Sequence, residues 1–361
     1  MSGFEFKCPS CGGPMEFNPD LQELTCPFCD HVQSMDSYET SDRSDINLEE
    51  QKDPEIITGC DGTWSEEDLD GVVVYRCKSC GGEIVTQETT GSTSCPYCGN
   101  KVFVQSAFSG DARPDFVLPF AHTKKQAKEA YLKHLENKSF LPSIFKSRNH
   151  IDEIMGVYVP YWLFDGNIQS YMRYQGQNIR TWQQGDTEYK ETTTYDLLRQ
   201  GRMRFEKIPV DGSQKMDDAL MESIEPFDVG QAKPFNPGFL AGYVADRYDV
   251  DEHKSLQRAK MRMQVSAAQV IEDTIEGYDK VDLLSDEHSL ENIQYVYGLY
   301  PVWILNTTWK DKQFVFAMNG QTGKMVGDLP CDKAAYYKFM ALVALLTAVL
   351  SYAAQWLYLR F

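Results

Sequence analysis

The chain has 361 residues, long enough for two or three folded units, and its 53 acidic and 35 basic residues give it a formal net charge of −18. Such a charge argues against a protein whose main task is to neutralise nucleic-acid phosphates. The first residues, Met1–Phe6, contain neither a basic segment nor an apolar run. They predict no secretory signal peptide, so we expect the ten cysteines to lie in a reducing cytosol.

Eight of the cysteines form two clusters with the same spacing. In each cluster two C-x-x-C pairs are separated by fourteen residues, and an offset of 69 residues carries the first cluster onto the second. Neighbouring glycines and a proline repeat at the same offset, which indicates an internal duplication. The predicted metal ligands are Cys8, Cys11, Cys26 and Cys29 in the first cluster, and Cys77, Cys80, Cys95 and Cys98 in the second.

This spacing predicts two zinc ribbons, small β units at residues 1–35 and 71–106, each holding one structural Zn²⁺. Two facing C-x-x-C turns place four thiolates around one point, and a closed tetrahedron of soft sulfurs favours zinc, with iron the main competitor. Four cysteines leave no open position for water, so we expect no catalysis at the metal. We interpret His31 as a surface residue, and Cys60 and Cys331 as ordinary free thiols.

The surroundings of the ribbons are acidic. Residues 1–40 contain one lysine and seven acidic residues, and residues 39–70 contain twelve acidic residues against Arg43 and Lys52. We predict a flexible acidic linker at residues 36–70. Zinc ribbons are common in transcription and replication proteins, so a nucleic-acid-binding regulator is the alternative, but the lack of a basic face makes nucleic acid an unlikely partner. Docking of a protein fits better.

Residues 107–332 predict an α+β domain with an antiparallel sheet and two long helices. Thr123 and Gln126 form a capping box for the first helix, whose apolar stripe is Ala127, Ala130, Tyr131 and Leu135. The second is expected from about Asp251 to Glu276. Its apolar face is Leu256, Ala259, Met263, Ala267, Val270 and Ile271.

The remaining segments of this domain predict strands. A short one covers residues 114–120, another covers residues 157–164, a long exposed hairpin lies within residues 168–204, and two more lie at residues 295–308 and 313–318. The runs Gly156–Leu163 and Gly298–Ile304 resemble each other, which suggests two halves that share one sheet, although chance recurrence in buried strands is the alternative. There is no phosphate loop, dinucleotide motif or nucleophile elbow. We therefore expect neither an enzyme nor a small-molecule substrate.

The C-terminus predicts a transmembrane anchor at residues 333–361. Phe339–Leu359 is an uncharged run of 21 residues, which as a helix is roughly 30 Å long, the thickness of the hydrocarbon core of a bilayer. Lys333 and Lys338 precede the run and Arg360 alone follows it. This asymmetry favours a single-pass protein of the cell membrane with its N-terminal domains in the cytoplasm.

Taken together, the cysteine pattern, the run Met155–Trp162 and the run Phe316–Lys324 resemble bacterial membrane-anchored tandem zinc-ribbon proteins, often labelled transcription-factor-IIB-type or replication-factor-Y-helicase-like. The helicase label rests on the ribbons, and without a phosphate loop that activity does not carry over. The resemblance implies an adaptor for a flotillin-like (SPFH-domain) protein and a phage-shock-protein-A-type protein in an envelope-stress complex. We therefore predict a membrane-anchored scaffold that recruits cytosolic proteins.

Overall fold

The computed structural model describes residues 8–35, 58–59, 64, 72–87, 95–98, 103–106, 112–136, 138, 140–147, 151–310 and 312–358. The α-helices in these ranges are α1 Lys124–His134, α2 Asp218–Ser223, α3 Glu252–Glu272 and α4 Lys333–Tyr358. The strands are β1 Glu16–Asn18, β2 Glu23–Thr25, β3 Val32–Gln33, β4 Thr58–Gly59, β5 Val72–Cys77, β6 Glu83–Gln87, β7 Phe103–Ser106, β8 Phe116–Val117, β9 Met155–Gln184, β10 Thr187–Asp211, β11 Lys233–Pro234, β12 Val244–Asp246, β13 Lys280–Trp309, β14 Lys312–Asn319 and β15 Met325–Gly327.

Three unusually long strands dominate the fold. β9 and β13 have 30 residues each and β10 has 25. A strand of 30 residues spans about 100 Å. They are antiparallel neighbours in the order β10–β9–β13, and Gly185, with φ of 64°, forms the turn between β9 and β10. We call their outer halves, residues 165–184, 187–207 and 280–294, the arm. The predicted hairpin is thus the outer part of strands that begin in the core.

One face of the arm is covered by α3. Alternate residues of β9, including Ile168 and Met172, are buried on that face, while their neighbours are partly or fully exposed. The helix begins at Glu252, with Asp251, the predicted start, as its N-cap, and it ends at Glu272, four residues before the predicted end. Its predicted apolar face is buried except for Val270, which is 54% exposed. Val270 directly precedes the buried Ile271 and therefore lies just outside the buried face of the helix.

The inner halves of the long strands form the core of the body. The two similar runs pair directly with each other, Gly156 opposite Trp303 and Gly298 opposite Tyr161, so both runs do share one sheet. A Cβ at Gly156 would lie 2.5 Å from the Tyr243 ring, and one at Gly298 would overlap the Phe116 ring. Both glycines therefore let an aromatic ring lie against the strand.

The sheet is not purely antiparallel, which corrects the prediction. β12 pairs with β9 in parallel, and β4 and β8 pair in parallel with the edge of β13 that faces away from β9. β14 pairs antiparallel farther along that same edge and is itself extended by β15. Parallel neighbours cannot be joined by a tight hairpin, and β12 is separated from β9 along the chain by β10, α2 and β11. The predicted capping box of Thr123 and Gln126 is confirmed, and Ala127 and Tyr131 are buried.

Candidate metal centres

The first four-cysteine cluster is formed by two turns that face each other. In the first turn Cys8 N–H donates to Gly13 O over 2.7 Å and Gly12 N–H donates to Cys8 O over 2.8 Å. Gly12 has φ of 73°, a conformation that glycine adopts without strain. In the second turn Cys26 N–H donates to His31 O. The turns bring Cys8 Sγ to 3.4 Å from Cys29 Sγ and Cys11 Sγ to 3.4 Å from Cys26 Sγ.

The second cluster repeats this geometry. Cys77 N–H donates to Gly82 O over 2.8 Å, and Gly81, with φ of 74°, donates to Cys77 O over 2.9 Å. Cys77 Sγ lies 3.6 Å from Cys98 Sγ, and Cys80 Sγ lies 3.7 Å from Cys95 Sγ. The duplication predicted from sequence is therefore a duplication of backbone geometry as well.

Both sets of thiols fit a tetrahedral metal ion. All four sulfurs of each cluster lie within 4.8 Å of one another. A Zn–S bond of about 2.3 Å places neighbouring sulfurs of a tetrahedron about 3.8 Å apart, close to the distances in both sites. The two clusters could thus hold metal ions such as zinc, and the eight cysteines predicted as ligands are the ones that converge.

The backbone prepares one thiol of each site for ionisation. Burial raises the pKa of Cys8, but N–H groups of Ser10 and Cys11 point at its sulfur, and with the neighbouring thiols they lower that pKa to about 6. At Cys77 burial is likewise outweighed by the N–H groups of Cys80 and Ser79, and the pKa is about 7. Thiolates next to further thiols need a cation to balance their charge, which is the state that a bound metal supplies.

The two sites differ in what surrounds them. Phe28, in the second turn of the first site, is 72% exposed, and Cys11 and Cys29 are exposed beside it. Tyr97 occupies the equivalent position in the second site and is 8% exposed. Asn306 of β13 donates its side-chain N–H to Tyr97 O. The first site therefore presents an aromatic ring to solvent, while the second places its ring inside the protein.

The second ribbon is joined to the body by its own strands. β5 pairs with β6 and β7, and β6 pairs with β12, so that Val85 lies opposite Ala245. The first ribbon forms a separate sheet, β1–β2–β3, that contacts the body through Phe17, whose N–H donates to Ala241 O and whose ring lies 5.0 Å from that of Phe239. One metal site is thus part of the main sheet, and the other lies on its surface.

A buried charged cluster lies at the junction of the second ribbon with the body. Asp246 of β12 is 1% exposed, and burial raises its pKa to about 6 although Lys215 lowers it. Lys215 Nζ lies 3.9 Å from Asp246 and 2.9 Å from Asp249. Burial and the nearby Asp246 raise the pKa of Tyr97. Sequence reasoning missed this cluster, because only folding brings residues 97, 215 and 246 together.

The other residues singled out in the sequence do not join either site. Ser10 Oγ lies 3.2 Å from His31 Nδ1, which places His31 beside the first site as a neighbour of a turn residue. Cys331 is exposed, and Cys60 lies outside the described residues.

The C-terminal helix is not a core helix. Its segment Lys333–Trp356 is long and apolar enough to cross a membrane, and its most apolar part is not buried in the described protein. Its first turns touch the body, where the Phe140 ring lies 5.4 Å from Tyr336 and 5.3 Å from Phe339.

Comparison with known proteins gives one informative match. The chain is 31% identical over 322 residues to YdjG of Bacillus subtilis (strain 168), an uncharacterized protein, and the match covers 75% of this chain and 94% of that protein. The chain belongs to the YdjG family. No family model matches the chain, and no solved structure matches it. The tandem cysteine sites and the apolar helix therefore have to be interpreted from their own chemistry.

Proposed function

We propose that the protein is a membrane-anchored, non-enzymatic adaptor that uses two structural zinc ions and recruits a cytosolic protein through its first ribbon. One observation supports this proposal most strongly. The second C-x-x-C turn of each ribbon, here called its knuckle, exposes Phe28 to solvent in the first ribbon and buries Tyr97 in the second. Aromatic side chains in exposed positions are favoured anchors of protein interfaces.

The zinc ions act as structural supports in this proposal. Four cysteines complete the coordination of Zn²⁺, so substrate and water have no open position on the metal. Binding of the metal supplies folding energy to a ribbon with a small core. The first ion therefore holds the turn that carries Phe28 in place, and the second stabilises the edge of the sheet.

The anchor is α4. The most apolar part of this helix is not buried in the described protein, and exposed apolar surface of this kind is costly in water and stable in a bilayer. Lys333 and Lys338 before the uncharged run favour, by the positive-inside rule, an orientation with the N-terminal side in the cytoplasm. The resemblance to bacterial tandem zinc-ribbon proteins names the partner class, a flotillin-like (SPFH-domain) protein together with a phage-shock-protein-A-type protein in an envelope-stress complex.

The test is recruitment of a coexpressed flotillin-like protein. The full chain is purified from detergent-solubilised membranes as wild type, as Phe28→Asp and as the matched control Leu21→Asp, which makes the same apolar-to-acidic change at another exposed position of the first ribbon. The partner is expected with the wild type and the control, and its recovery with Phe28→Asp should fall at least tenfold while the variant keeps two zinc ions and stays in the membrane fraction. Equal recovery with all three proteins would contradict the proposal.

A further inference from the structure

The two edges of the arm carry opposite charge. At the β10 edge, residues 197–207 contain four basic residues and one acidic residue, and at the β13 edge, residues 280–291 contain four acidic residues and one lysine. We call these groups the basic edge and the acidic edge. The basic edge is Arg199, Arg202, Arg204 and Lys207, and the acidic edge is Asp282, Asp286, Glu287 and Glu291.

The two edges lie at the same level of the arm. Arg204 and Glu291 are both opposite Asn167 of β9, one on each side of it. Arg199 and Asp286 are in the same way both opposite Met172. Because side chains alternate between the faces of a strand, the members of each of these pairs lie on the same face of the sheet.

Both edges are open along this stretch. Among the residues that the structure describes, β10 pairs only with β9, and β13 has no partner other than β9 between Lys280 and Glu291. Glu287 and Glu291 form no ion pair with any described residue. Each edge also exposes a leucine near Arg173 of β9, since Leu198 is 69% exposed and Leu284 is 54% exposed. Long unprotected edges invite a further strand.

We infer that the arms of neighbouring copies of this chain associate side by side, the basic edge of one copy against the acidic edge of the next. When one copy is shifted sideways in the plane of the sheet, its Arg204 lies beside Glu291 of the neighbouring copy. Its Arg199 then lies beside Asp286 of that neighbour. The contact uses two different surfaces, so it is heterologous and builds a ring or a row of copies.

The strand directions support this arrangement over a two-fold dimer. β10 and β13 are both antiparallel to β9 and therefore run in the same direction, so copies joined basic edge to acidic edge all point the same way. Copies anchored by α4 in one membrane need that orientation, a point that rests on the proposed function. Antiparallel pairing of two β10 edges would invert one copy and would place arginines near arginines, which is unfavourable.

Charge reversal on each edge gives the test. One variant carries Arg202→Glu with Arg204→Glu, so both of its edges are acidic. A second carries Glu287→Arg with Glu291→Arg, so both of its edges are basic. A control with Lys125→Glu and Lys133→Glu on exposed positions of α1 makes the same charge change as the first variant away from the arm.

The readout is the protein mass of the full detergent-solubilised chain at low salt, measured by light scattering over a concentration series. The wild type and the control should assemble beyond the monomer, and added salt should dissociate them. Each edge variant alone should bind itself at least tenfold more weakly, while an equal mixture of the two variants should assemble again, since each acidic edge then meets a basic one.

Three results would overturn the inference: a wild type that stays monomeric, edge variants that assemble as well as the control, or a mixture that does not co-assemble. None of these readouts depends on a membrane or on a recruited protein, so the result is independent of the test of the adaptor proposal.

Discussion

The two ribbons of this protein have the same backbone geometry at their cysteine turns but differ in the exposure of the aromatic residue beside them. Both bring four sulfurs together through the same glycine turn, with Gly12 at φ of 73° in one and Gly81 at φ of 74° in the other. Yet Phe28 is 72% exposed and its counterpart Tyr97 is 8% exposed. Duplication preserved the cysteine geometry, while the packing partner of each ribbon diverged.

This difference assigns a separate task to each site. The second ribbon continues the main sheet through β6 and β12, so a metal ion bound there would support the body. The first ribbon contacts the body through Phe17 and leaves Phe28 in solvent, so a metal ion bound there would support an exposed surface.

The largest effect is expected from removal of a metal ligand. Cys77→Ser and Cys8→Ser form a matched pair, since both replace the buried first cysteine of a cluster. Each variant should bind one zinc ion instead of two. Structural zinc contributes on the order of 10 kcal/mol to the folding of small ribbons. We expect Cys77→Ser to expose β9 and β13 to proteolysis and to lower the thermal midpoint of the body markedly.

Cys8→Ser should instead confine the damage to the first ribbon, with the body transition little changed. Zinc content by mass spectrometry and limited proteolysis of the full chain in detergent distinguish the two patterns. Equal destabilisation of the body by both variants would contradict the division of tasks.

Truncation of the equivalent aromatic residues should give the next largest contrast. Tyr97→Ala removes a buried ring and should cost about 3–5 kcal/mol of unfolding free energy. Phe28→Ala removes an exposed ring and should change stability by less than about 0.5 kcal/mol. Denaturant unfolding of the two variants in the same detergent measures both values, and similar costs would show that the knuckles are equivalent.

The buried carboxyl at the junction predicts a pH effect. Burial raises the pKa of Asp246 from its ordinary value of 3.8 to about 6. Between these values the folded chain binds more protons than the unfolded chain, so stability contributed by this group falls as the pH rises to about 6 and is level above it. Asp246→Asn removes this dependence, so its stability relative to wild type should be about 1 kcal/mol more favourable at pH 7 than at pH 5.

Thermal midpoints of both proteins at the two pH values test this expectation. Lys215→Ala is the companion variant. It removes the cation that lowers the pKa of Asp246, so its pH dependence should be steeper than that of wild type. A constant difference between Asp246→Asn and wild type across pH would argue that the carboxyl does not titrate in this range.

The smallest effect is kinetic. Cys11 and its counterpart Cys80 are both exposed, but Cys29 of the first site is exposed whereas its counterpart Cys98 in the second site is half-buried. A chelator with a colorimetric zinc indicator should therefore release two ions in two phases, the first site faster. In Phe28→Ala the fast phase should persist, and a single phase of two ions would contradict the difference in exposure.

Local sequence chemistry predicted much of this structure. Cysteine spacing identified both metal sites, because the turn that joins two ligands is short and self-contained. The capping box at Thr123 and the stripe of α3 followed from helical periodicity, and only Val270 was misplaced. These features depend on residues within a few positions of one another.

Pairing between strands that are far apart in the chain could not be predicted from the sequence. β13 begins at Lys280 instead of near residue 295, because its polar first half is held as a strand by pairing with β9 and carries little apolar alternation of its own. The burial of Tyr97 was hidden for a similar reason, since its neighbours Asp246 and Asn306 are far away in the chain. The predicted domain boundaries at residues 35, 70, 106 and 332 stay predictions, and β6 shows that the second ribbon and the body share a sheet.

The most direct test of the central claim is recruitment of a coexpressed flotillin-like protein to membranes by Phe28→Asp and Tyr97→Phe variants of the full chain. Tyr97→Phe keeps the buried ring and removes only its hydroxyl. Phe28→Asp should stay membrane-bound with two zinc ions, and the amount of recruited partner should fall at least tenfold. Tyr97→Phe should recruit the partner as well as wild type does. Recruitment by Phe28→Asp at the wild-type level would contradict the adaptor proposal.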